Sequence, residues 1–242
     1  MTNEFPGIYC TEHIIFLALF FILTAGGIFF ILKYAKSEKT RNLIVKISAA
    51  LLLAFIVTNR VSVTVAQIGS EPENYTWLNL LPYTFCGLAS LVFALAALFG
   101  KDNNTVYHFI VYFGFFGGLA TLFYPDFLET QTFWDIRSIT GLLHHAMMVW
   151  MTSLLVATGK FRPNAKKWYV YPVGFCLVMA LGVFELDALG FPEAMNIGKP
   201  LVGSLPVLTS WYVIGAVSSA VTVLISLLCG RKKSGNSSAE NA

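Results

Sequence analysis

The residues of this chain best suited to covalent chemistry are one cysteine, Cys86, and two adjacent histidines, His144 and His145. A thiolate is a strong nucleophile. A histidine within hydrogen-bond reach can take its proton and later return one to a leaving group. A thiol in apolar surroundings needs such a base to ionise. Neighbouring histidines on a helix lie about 100° apart around its axis, so at most one is expected to face a common site squarely. A metal pair would want a spacing of three or four. The four cysteines, Cys10, Cys86, Cys176 and Cys229, are far apart and form no CxxC. Neither a metal, a cofactor nor a disulfide framework is expected.

Arg60 is the candidate for holding a phosphate, or for pairing with Glu185 or Asp187. Asn59 and Tyr83 are candidate donors to a developing oxyanion. Asp126 joins them as a candidate substrate contact. Blander roles exist for each: Cys86 as a small packing residue, Arg60 snorkelling to the interface, amides and carboxylates capping helices.

These side chains must be held by elements suited to a bilayer. Of the 242 residues, 56% are hydrophobic and only 12% are charged, against about a quarter charged in a soluble domain. Runs of roughly 17 to 24 apolar residues, each long enough to span a hydrocarbon core, lie near residues 14–32, 44–65, 80–99, 107–124, 139–157, 169–187 and 208–229. Pro82, Gly117 with Gly118, and the histidine pair interrupt three of them, and neighbouring helices can satisfy backbone groups freed there. The first run is followed by positive charge, Lys33, Lys36 and Lys39, whereas a signal peptide carries it in front. It reads as a retained helix. The fold expected is all-α: a polytopic membrane bundle of about seven transmembrane helices over residues 1–230, with a disordered cytoplasmic tail at 231–242.

With the N-terminus outside and the C-terminus in the cytoplasm, 13 of the 16 lysines and arginines fall on the inner side. Arg60, Arg137 and Lys199 are the exceptions. The same topology brings Asn59, Arg60, Asn79, Tyr83, Thr84, Cys86, Tyr124, Asp126, the histidines, Glu185, Asp187, Ser210 and Tyr212 toward the outer half. Polar groups inside membrane spans face the bundle interior or a watery cavity. A site open to the outer leaflet of the cell membrane is expected, with membrane lipids rather than nucleic acid as partners.

Three segments resemble the YwaF/transmembrane protein 164 family. LLPYTFCGLASL, Leu80 to Leu91, is similar to the LP-x-x-x-C opening of that family's third helix. GFFGGLATLFYPD, Gly114 to Asp126, is similar to its glycine-rich fourth helix with a proline–acid turn. FWDIRSITGLLHHAMMVWM, Phe133 to Met151, resembles its histidine-bearing fifth helix. The resemblance implies an acyltransferase-like membrane protein that moves a fatty acyl group to or between lipids through an acyl-enzyme. It places the cysteine at Cys86 and, from the register of Ser138, the histidine at His145, with His144 the alternative. A transporter using the same polar layer, or a non-catalytic bundle, are the competing readings.

Overall fold

The computed structural model of the chain describes residues 7–191, 194–197 and 207–231. The expected tail at 231–242 lies, but for Arg231, outside the described residues, as does Lys199. Seven α-helices follow one another: α1 (Thr11–Tyr34), α2 (Glu38–Ser70), α3 (Phe85–Phe99), α4 (Tyr107–Phe123), α5 (Ile136–Ala157), α6 (Val170–Ala188) and α7 (Val207–Arg231). No strand occurs among the described residues. Six helical stretches are long and apolar enough to cross a membrane.

The third span departs from expectation. A continuous helix over 80–99 does not form: a short 3₁₀ turn, Trp77–Leu80, gives way to an extended Leu81, and α3 begins only at Phe85. Pro82 is the cause. It has no N–H to donate and it drives the residue before it out of helical geometry. Thr84 then caps the new helix, its Oγ1 accepting from Gly87 N at 3.1 Å. The remaining 15 residues of α3 rise about 22 Å, short of a hydrocarbon core of about 30 Å. The missing turns leave a recess at one end of the bundle.

Helix α5 is the axis of the fold, with buried residues from Ser138 to Leu155, and α2 and α4 pack along it. In a bilayer, helices associate through close van der Waals contact and hydrogen bonds rather than through apolar burial. Gly114 and Gly118, one turn apart on α4, supply the close contact. A Cβ on Gly118 would stand 2.9 Å from the His145 backbone oxygen and 2.9 Å from Val149 Cγ2. Hydrogen bonds complete the seams. Trp150 Nε1 donates to Ser48 Oγ at 3.0 Å, and Thr152 Oγ1 donates to the Val111 carbonyl at 3.1 Å. Helix α1 is peripheral: only His13 is buried, with its Nε2 2.9 Å from the Leu122 carbonyl.

Gly118→Ala should therefore destabilise the protein in detergent. Alanine gains about 1 kcal/mol of helix propensity, but forcing apart α4 and α5 costs about 1–3 kcal/mol. Gly26→Ala on α1, where a Cβ meets nothing within 4 Å, is the control and should be neutral or stabilising. Equal melting temperatures for the two variants would refute the close-contact role of Gly118.

Candidate lipid-facing site

Asp135 starts α5 by accepting from Arg137 N at 2.8 Å, and the same carboxylate takes Arg137 Nε at 2.9 Å and Nη2 at 2.6 Å. That paired guanidinium holds the Asp135 carboxyl below the usual carboxylate range. The Arg137 carbonyl then accepts from Asn59 Nδ2 at 2.9 Å, and Thr140 Oγ1 lies 3.1 Å from the same nitrogen, which locks α2 to the first turn of α5. Helices α2 and α4 contribute their C-terminal parts, α3 and α5 their N-terminal parts. In an up-and-down bundle these four ends meet on one side.

There they enclose a cavity of about 550 Å³. The candidate catalytic and substrate-binding residues line it: Asn59, Arg60, Tyr83, Cys86, Asp126, His144 and His145. Glu185 and Tyr212 do not. Glu185 is buried on α6 outside the cavity, and Tyr212 lies in a groove between α6 and α7. Asp187 is exposed. The side chain of Ser210 lies outside the described residues.

Cys86 sits in the first turn of α3, where backbone N–H groups lack helical partners and the dipole favours negative charge. Its Sγ lies 3.9 Å from Thr121 Oγ1. Among the described residues no hydrogen bond joins it to either histidine. Gly117 on α4 faces the sulfur, and a Cβ there would meet Sγ at 4.0 Å, an ordinary contact.

Both histidines line the cavity. Their ring centroids are 4.0 Å apart. His145 Nδ1 donates to the Gly141 carbonyl at 2.6 Å, which leaves the lone pair on Nε2, and that atom has no partner. His144 Nδ1 lies 3.0 Å from Ser90 Oγ.

Arg60 is the other unusual group. It is only 7% exposed, yet no carboxylate pairs with it: the ion pairs among the described residues are Arg137–Asp135 and Lys160–Asp102. The expected partners Glu185 and Asp187 are therefore not salt-bridged to it. Its guanidinium donates to the Asn79 carbonyl and stacks over Tyr83, Cζ to ring centroid 4.3 Å, while Nε has no partner. A buried cation that, among the described residues, is held by a carbonyl and an aromatic face without a carboxylate at ion-pair distance retains attraction for an anion.

The two expected oxyanion donors are already engaged. Asn59 Nδ2 is bound on α5 as described, and the Tyr83 hydroxyl exchanges hydrogen bonds with the Gln67 amide at 2.9 and 3.2 Å. Gln67, Thr121, Gln131 and Arg137 line the cavity without having been singled out from the sequence. Gln67 carried a usable signal: it follows Arg60 by two helical turns, which puts an amide and a guanidinium on one face of an apolar helix. Thr121 carried none, because a threonine can bond its own helix anywhere in a span.

The bundle and the polar cavity between its helix ends define a multi-pass helical membrane protein with an internal polar chamber. The chain belongs to the TMEM164 family, whose model matches residues 8–230. No curated protein and no solved structure matches it.

Proposed function

We propose that this protein is an integral membrane acyltransferase that moves a fatty acyl group to or between lipids through a thioester on Cys86. The supporting observation is the convergence on one cavity of a thiol, two imidazoles and a buried guanidinium that has no ion pair among the described residues. In the first half-reaction a histidine takes the thiol proton and sulfur attacks the carbonyl carbon of a lipid ester. The C–S bond forms, the C–O bond breaks, and the alkoxide leaves with the proton from the imidazolium. In the second, an acceptor hydroxyl gives its proton to the same imidazole and its oxygen displaces the thiol. The proton passes between Cys86 and histidine through one water or on closure over substrate, as catalytic bonds often tighten only in the complex.

His145 is assigned as the base, because the Gly141 carbonyl fixes its tautomer with Nε2 free. Arg60 holds the lipid phosphate. Asn59 and Tyr83 act by positioning α5 and Arg60, and the Cys86 backbone N–H, in the open first turn of α3, takes the oxyanion role. Asp126 lies at the cavity rim after α4 and contacts the substrate's polar part. No metal or cofactor enters this scheme. We place the N-terminus outside, the basic loops in the cytoplasm and the cavity in the outer half of the cell membrane, on the distribution of lysine and arginine.

The test is incubation of the purified protein in liposomes with a phospholipid carrying an alkyne-tagged acyl chain. The expected result is a hydroxylamine-labile label on the Cys86 peptide. An unlabelled protein, or a label elsewhere, would refute the thioester. Cysteine accessibility from each face addresses the transporter alternative, which requires the cavity to open to both sides.

A further inference from the structure

A second, smaller space of about 200 Å³ lies on the outward side of α2 and α3. Its α2 wall is Ile56, Val57, Arg60 and Val61; Leu80, Pro82, Gly87 and Leu91 close the other side. Ile56 and Arg60 line this groove and the polar cavity alike, so one guanidinium stands between the two. The outer lip is apolar and faces the bilayer, with Val57 50% and Val61 43% exposed. The groove exists for identifiable reasons. Pro82 delays the start of α3, and Gly87 has no side chain where a Cβ would stand 3.8 Å from Arg60 Cδ and 2.7 Å from Thr84 Oγ1. The stem of Arg60 is thus reachable from the lipid side.

We propose that this α2–α3 groove holds one acyl chain of a glycerophospholipid whose phosphate is bound by Arg60, and is the lateral port through which lipid reaches the cavity. Charge complementarity selects the occupant. A hydrocarbon chain alone would fill any apolar groove, but a groove that ends on a buried cation with, among the described residues, no partner at Nε and no carboxylate within ion-pair distance favours a chain attached to an anion. The port rests on the reading of the cavity as a lipid site, yet it does not require acyl transfer to occur.

The groove between α6 and α7, about 440 Å³ and lined by Phe175, Cys176, Met179 and Gly215, is an internal control, since no charged side chain among the described residues lines it. Full-length protein in phosphatidylcholine vesicles would be photolysed with a phosphatidylglycerol bearing a diazirine on its acyl chain, and cross-linked peptides mapped. Cross-links are expected at Val57, Val61 and Leu91 in several-fold excess over the α6–α7 groove. Arg60→Gln, and separately the groove-filling Leu91→Trp, should reduce them to the control level. A diazirine diacylglycerol, which lacks the phosphate, should show no excess. Equal cross-linking in both grooves, or an excess unchanged in both variants, would overturn the port. The same experiment on Cys86→Ser separates the two ideas: an excess that persists there supports the port even if wild type forms no thioester.

Discussion

Cys86→Ser is expected to reduce acyl transfer to the rate of protein-free vesicles while leaving the fold intact. Serine matches the thiol closely in shape and sits in the same surroundings beside the Thr121 hydroxyl. Folding should not distinguish the two proteins, as a melting curve in detergent would check. Chemistry should, because an alkoxide at this position demands a far stronger base than a thiolate does. The Cys86 label in liposomes should disappear with turnover. If the serine variant carries as much label as wild type, the nucleophile is not Cys86 and the proposed mechanism fails.

The second large effect concerns the histidines. His145→Gln should lower transfer by about 10²–10⁴-fold, the usual contribution of a positioned acid–base group. His144→Gln should cost less than about tenfold on the same scale, because glutamine can keep a hydrogen bond to Ser90 Oγ, now 3.0 Å from His144 Nδ1. The difference in expectation rests on orientation. The 2.6 Å bond from His145 Nδ1 to the Gly141 carbonyl sets the free lone pair on Nε2, whereas the Ser90 hydroxyl can donate or accept and leaves the His144 tautomer open. Reversal of the two effects would reassign the base to His144. Equal large losses with normal melting would mean that the rings, 4.0 Å apart, act as one unit, against a single base.

Family membership carries the fold further than the chemistry. Activities differ among proteins that share an architecture, so the thioester and the lipid port stand on Cys86, His145 and Arg60 themselves. These residues also show what made a candidate legible in the sequence. Arg60 and the histidines were visible because an ionisable side chain in a membrane span is costly and needs a reason. Cys86 was visible only with its surroundings, the LP-x-x-x-C pattern and the histidine-bearing helix, since a lone cysteine packs as a small apolar residue.

What the sequence determined by itself was the solvent and the helices. Twenty apolar residues in a row leave the backbone no choice but to satisfy itself, and that constraint is local. The polar layer followed, because rise per residue converts position in a span to depth. Three features were decided by the tertiary structure. Pro82 stood in plain view, but whether α3 bends through it or restarts after it depends on what fills the gap, and here the gap is part of the site. Among the described residues Arg60 has no ion-paired carboxylate, because packing leaves Glu185 off the cavity and Asp187 at the surface. Asn59 and Tyr83 became supports once Thr140, the Arg137 carbonyl and Gln67, residues distant in sequence, came within hydrogen-bond reach. Depth is fixed along a helix by counting residues; partners around it are fixed only when the neighbouring helices arrive.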